Sequence, residues 1–308
     1  MAVTPSMGFG AISPPGGPCQ NKCMITVAIR SADHAYQYRP APDGAPTLVF
    51  IHGWMLSRHY WQPLCDRLHD DYGYLTYDLR GFGDSGLGRT DSFSLQSYAS
   101  DLVELVDALG LSKVWLVGHS MGGSIALWAA DLAPAVVSGI MCVNAGGGIY
   151  IKDEFEKFRR FGTQLVKMRS PWMVWLPGLS WYFGRDSVFE PLAKRWGRQR
   201  VRDFLAAHPT AATGALLDTT TEGEVHLLPQ VVARLQQPAI FIAGENDAIM
   251  EPKYVHHLAS FHRDYGACGD NMVELERCGH LAMLEQSERV ADILRQAIAA
   301  KFQVGSAS

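Results

Sequence analysis

The sequence predicts an α/β fold: a mostly parallel eight-stranded sheet with helices on both faces and an inserted helical cap. Three observations lead there. From residue 24 onward, short β-rich apolar runs alternate with longer amphipathic stretches, the rhythm of parallel strands joined through helices. Runs such as LVFI, VWLV and AIFIA are apolar throughout, as strands covered on both faces are. The rhythm breaks between about residues 147 and 228 and then resumes.

Taken in chain order, residues 1–23 carry one charge, Lys22, among prolines and glycines, and lack the basic start and long apolar stretch of a signal peptide. They read as a flexible N-terminal tail. In it, Cys19 and Cys23 are either a chance spacing or a redox or metal pair. MITVAIR (24–30) and HAYQYR (34–39) open the sheet as an antiparallel pair. TLVFIHG (47–53), GYLTYDL (73–79), KVWLVGHS (113–120), GIMCVNA (139–145), PAIFIAG (238–244) and NMVELERCG (271–279) supply the other strands. SLQSYASDLVELVDALG (94–110) sets Leu95, Tyr98, Leu102, Leu105, Val106 and Leu109 at helical spacing and stops at Gly110. MGGSIALWAADLA (121–133) begins a helix directly after a strand, and Pro134 closes it. Further helices are predicted around 57–69, 252–263 and 284–302. The core domain is therefore 24–146 with 229–308, and 147–228 is the cap, or lid. Trp172, Trp175, Trp181, Tyr182, Phe183 and Trp196 crowd one stretch of it. Such rings form either the cap's own interior or the wall of a substrate pocket, and Trp172, Trp175 and Trp181 are the candidates for the second role.

Composition narrows the function. With 308 residues, 47% hydrophobic and 19% charged, the chain has the balance of a folded protein, not that of a disordered, collagen-like or disulfide-scaffold sequence. A net charge of -4 and a pI near 6.2 provide no overall basic field, so neither nucleic acid nor an anionic lipid surface is an expected partner. Six scattered cysteines, with Cys142 in an apolar run, read as reduced thiols. No stretch of about 18 apolar residues is present to span a membrane, and a cytoplasmic protein is expected.

The chemistry centres on Ser120, in Gly118-His119-Ser120-Met121-Gly122-Gly123. With 30 glycines in the chain the pattern G-x-S-x-G is weak alone, but this one falls between a predicted strand and a predicted helix. A nucleophile on so sharp a turn needs small neighbours two residues to either side. The helix start adds positive partial charge beneath a developing oxyanion. A serine hydroxyl needs a base, and among eleven histidines His280 is best placed, in a loop between the strand NMVELERCG and a terminal helix. That imidazole needs a carboxylate to fix its tautomer. Asp247 follows the strand PAIFIAG by three residues, with Glu245 as a possible substitute. The strand ending at Asn144 has no carboxylate beside it. In His52-Gly53-Trp54, the backbone N–H of Trp54 can join that of Met121 as an oxyanion hole, while the Trp54 ring walls the acyl pocket. His119 is a further substrate-binding candidate, and His52 is read as orienting its loop.

Together, HGW at 52–54, DLRGFGDSG at 78–86, GHSMGG at 118–123, GENDAIMEP at 244–252 and CGHLAMLEQ at 278–286 resemble the capped, serine esterase-like branch of the α/β-hydrolase superfamily over roughly residues 24–303. The chain order Ser, Asp, His is that of the superfamily. The resemblance implies an α/β-hydrolase fold, no cofactor or metal, and a tight structural turn at Asp78, Arg80, Gly81, Gly83, Ser85 and Gly86. Serine at 120, where dehalogenases and epoxide hydrolases of the superfamily carry aspartate, speaks against both activities. The leading expectation is hydrolysis of a carboxylic ester in a hydrophobic small molecule, with hydrophobic or long-chain acyl or alcohol groups favoured by the aromatic cap. A carbon–carbon bond hydrolase or lyase, a cofactor-free perhydrolase or haloperoxidase, and a non-catalytic ligand receptor are the alternatives.

Overall fold

The apolar runs become strands: β1 (Ile25–Ile29), β2 (Ala32–Arg39), β3 (Thr47–Ile51), β4 (Gly73–Tyr77), β5 (Val114–His119), β6 (Val137–Val143), β7 (Ala239–Gly244) and β8 (Met272–Leu275). The structure is a computed structural model describing residues 25–90, 92–147, 152–267 and 269–305. The expected tail, with Cys19 and Cys23, lies outside the described residues. The eight strands form one sheet in the order β1-β2-β4-β3-β5-β6-β7-β8. β1 pairs antiparallel with β2, and β2 with β4; every other pairing is parallel. β3 and β5 are buried at every position, which is why LVFI and VWLV carry no polar face.

The helices are α1 (Gln62–Leu68), α2 (Leu95–Ala108), α3 (Met121–Leu132), α4 (Lys152–Met168), α5 (Leu179–Phe183), α6 (Lys194–Ala206), α7 (Pro209–Thr219), α8 (Glu222–Arg234), α9 (Pro252–Ala259), α10 (Ala282–Glu285) and α11 (Ser287–Gly305). They cover the sheet in two apolar layers. One contains Leu102, Leu105, Ile125, Leu127 and Val255 from α2, α3 and α9. The other contains Leu64, Leu68, Val290 and Leu294 from α1 and α11.

Helices α4 to α8 lie between β6 and β7. The expected cap boundary at 228 falls inside α8, whose Leu228, Val231 and Val232 are fully buried in the first layer. Pro229 sits inside that helix. Helices α6 and α7 rest on the loops after β3 and β4. Trp54 Nε1 donates to Ala212 O at 2.8 Å, Ser57 Oγ to Asp203 Oδ2 at 3.0 Å, and His208 N to Gly81 O at 2.8 Å. The turn after β4 is built on Asp78, which is fully buried and accepts from Arg58 N at 2.6 Å and Asp84 N at 2.8 Å and pairs with the Arg58 guanidinium. Gly83 has φ 54, and a Cβ there would lie 2.3 Å from the Asp78 carboxylate, so only glycine closes this turn.

Candidate active site

Parallel strands deliver their carboxyl ends to one edge of the sheet, and the chemically equipped loops follow β3, β5, β6, β7 and β8 there. Ser120 stands between β5 and α3 at φ 53 and ψ -123, a strained backbone for a residue other than glycine. Its neighbours show why the turn tolerates nothing larger. A Cβ on Gly118 would lie 2.2 Å from Gly122 O, and one on Gly122 would lie 2.3 Å from Ile51 O. Gly53 approaches from β3 so closely that a Cβ there would be 3.2 Å from Ser120 Cβ. Trp54, one of the two expected oxyanion-hole residues, therefore follows a residue that packs against Ser120, and Met121, the other, is the first residue of α3 directly after the serine.

His280 and Asp247 meet although 33 residues separate them. His280 Nδ1 donates to Asp247 Oδ2 at 2.7 Å. The other carboxylate oxygen accepts Ile249 N and Met250 N, each at 2.9 Å. Burial alone would raise the Asp247 carboxyl; the charge of His280 and the hydrogen bonds from His280, Met250 and Ile249 outweigh it and hold the group below its ordinary value. Glu245, the possible substitute, instead accepts Arg277 N at 3.1 Å.

Sequence reasoning missed two residues that hold this pair. Asn144, fully buried just beyond β6, donates through Nδ2 to Asp247 Oδ2 at 2.9 Å and to Gly279 O at 3.1 Å. Its φ of 51 is a conformation asparagine tolerates better than most residues, the one signal its position offered. Glu285 accepts Gly279 N at 3.0 Å, Leu281 N at 3.1 Å and Phe189 N at 2.7 Å, tying both flanks of His280 to the segment between α5 and α6. The same segment accepts His280 N at Ser187 O, 2.8 Å away.

Two histidines read from the sequence prove to be interior. His52 sends Nδ1 to Gly53 O at 2.7 Å and accepts Leu79 N on Nε2 at 2.9 Å, and burial lowers its pKa to about 4. It fixes the loop that carries Trp54. His119, expected to bind substrate, is 1% exposed and donates from Nε2 to the His280 carbonyl at 2.7 Å. Its ring packs edge-on to that of His280 at 4.7 Å, and burial, then the charge of His280, lowers its pKa to about 3. Strand geometry turns this side chain inward, so it supports the His280 loop. Trp172, Trp175 and Trp181 are 61, 85 and 61% exposed, so these rings neither fill the cap's interior nor enclose a pocket.

Comparison with known proteins agrees with this fold. A family model described as the alpha/beta hydrolase fold matches residues 46–287. The chain is 33% identical over 253 residues to 3-oxoadipate enol-lactonase 1 of Acinetobacter baylyi, covering 82% of this chain and 88% of that protein. It is 27% identical over 221 residues to a bifunctional esterase/perhydrolase of Acinetobacter calcoaceticus, covering 68% and 77%. Among solved structures, a thermophilic esterase from Thermogutta terrifontis superposes with a TM-score of 0.71 at 21% identity, over 90% of this chain and 98% of that one. The strained serine turn, the histidine–carboxylate pair and the family match over most of the sheet together make this chain a member of the alpha/beta-hydrolase fold family.

Proposed function

We propose that the chain is a serine hydrolase cleaving a carboxylic ester through an acyl-enzyme intermediate on Ser120. The observation that carries this reading is the 2.7 Å bond from His280 Nδ1 to a buried, ionised Asp247 at the sheet edge that also holds Ser120. With a hydrogen on Nδ1, the basic lone pair is on Nε2. His280 takes the Ser120 proton as Oγ attacks the acyl carbon, and the carbonyl oxygen becomes negative toward the N–H groups of Trp54 and Met121. The C–O bond then breaks, and His280 returns the proton to the leaving alcohol. A water deprotonated by His280 attacks the acyl carbon, releasing the acid and restoring the hydroxyl. Asp247 stays ionised and stabilises the imidazolium. His119, held neutral by burial, places no second positive charge beside it.

The similarity to an enol-lactonase supports ester chemistry, since a lactone is a cyclic ester. Peracid formation is a second reading, favoured by the close approach of Gly53, the residue before Trp54, to the serine and by the similarity to the esterase/perhydrolase. A panel of nitrophenyl esters from acetate to octanoate, a lactone, a vinylogous diketone, and acetate with peroxide tests these readings. Ester turnover rising with chain length supports ester hydrolysis and a hydrophobic substrate. Cleavage of the diketone without any ester turnover contradicts it.

A further inference from the structure

Nine of the fourteen exposed large apolar side chains among the described residues lie between Phe161 and Phe189. Isolated exposed hydrophobics are ordinary, whereas a concentration of them marks an interaction surface. These rings do not hang on a loose loop. The 3-10 turn Pro171–Trp175 and α5 are anchored by Met173 and Phe183, which pack against the core, with Phe183 5.4 Å from Phe204. Gly197 of α6 meets α5 so closely that a Cβ would lie 1.9 Å from Ser180 O. The inward residues fix the segment, and Trp172, Val174, Trp175, Trp181 and Tyr182 are displayed outward.

The charge around this display opposes that of the chain. Residues 152–206, from the start of α4 to the end of α6, contain twelve Lys and Arg against six Asp and Glu, in a protein of net charge -4. Some of these cations work internally: Arg169 donates to Phe204 O and Ala207 O, and Arg200 pairs with Asp186. Lys167, Arg185, Lys194, Arg195 and Arg198 are exposed. Whole-chain charge, from which no attraction to anionic lipid is expected, averages this local field away.

From this juxtaposition of outward tryptophans and exposed cations we infer that the cap is a docking face for an anionic phospholipid surface, on which the protein lies without spanning it. Tryptophan and tyrosine settle at the headgroup level of a bilayer, and flanking Lys and Arg reach anionic headgroups while their stems cover apolar surface. Two such caps facing each other would set like charges together, which disfavours a second copy as the occupant. No described helix is long and apolar enough to cross a membrane, in keeping with a surface that rests on lipid.

Sedimentation of the full chain with vesicles tests the inference, and it needs no turnover, so its outcome is separate from that of the ester panel. The expected result is binding to vesicles containing phosphatidylglycerol, weak binding to phosphatidylcholine alone, weakening with salt, and a blue shift of tryptophan emission. Trp172→Ser with Trp175→Ser is expected to weaken partition at least about tenfold. Lys167→Glu with Lys194→Glu is expected to weaken it about fivefold or more per lysine. All four positions are exposed, and circular dichroism and thermal melts confirm that the variants fold. Equal binding to both vesicle types, no binding at low salt, binding unchanged in both folded variants, or a dimer that the tryptophan substitutions dissolve overturns the inference.

Discussion

Replacing Asn144 separates the support of the histidine–aspartate pair from the pair itself. The side chain makes two buried hydrogen bonds, one to the ionised Asp247 and one to the Gly279 carbonyl. A bond to a charged group contributes about 1.5–3 kcal/mol and a neutral one about 0.5–1.5 kcal/mol. Asn144→Gly adopts the native φ of 51 without strain, so it removes only the amide. The expected loss of stability is about 2–4.5 kcal/mol. Asn144→Ala adds about 1–2 kcal/mol for holding a Cβ in the left-handed region. With one restraint gone, Asp247 and His280 drift from their productive geometry, and kcat is expected to fall about ten- to a hundredfold. Urea unfolding and nitrophenyl ester kinetics read the two effects. If Asn144→Gly stays within about 0.5 kcal/mol and about twofold of the parent, the reasoning is wrong.

Three further outcomes follow from buried or crowded groups. Burial pushes the Asp203 carboxyl up to about 7, despite donors from Ser57 and Gln199. A folded-state value above the unfolded one means stability falls as pH rises from about 4 to about 7, by at most about 1.4 kcal/mol per pH unit. Asp203→Asn removes that dependence, so its advantage over the parent should open across this window in urea unfolding at stepped pH; a gap constant with pH contradicts the assignment. Gly122→Ala forces a Cβ to within 2.3 Å of Ile51 O and is expected to cost more than about 3 kcal/mol or to prevent folding, as thermal denaturation will show. Glu285→Gln replaces one acceptor oxygen with a donor where three backbone N–H groups converge, and should lower kcat about tenfold with little change in KM.

The sheet was legible because its strands are short apolar runs with turn residues between them, and all eight form within a few residues of their expected limits. Ser120, Asp247 and His280 were legible as a candidate set because each lies in a loop that follows a strand at the same edge. What escaped notice depends on which way side chains face. The cap's aromatic content is plain in the sequence, yet nothing in the spacing of Trp172, Trp175 and Trp181 says that these rings point to solvent while Met173 and Phe183 point inward. His119 looks like a pocket residue because it adjoins Ser120, but it is the last residue of a fully buried strand. Asn144 and Glu285 act through backbone and side-chain partners 103 residues away or folded back within one loop, contacts that no local pattern encodes.

The central claim is that Ser120 is a nucleophile activated by His280. Labelling the folded protein with a fluorophosphonate, followed by peptide mass spectrometry, tests it most directly. Covalent modification of Ser120, slowed by orders of magnitude in His280→Ala, is the outcome this account predicts. Folded protein whose Ser120 remains unmodified, or is modified equally fast without the imidazole, would contradict it.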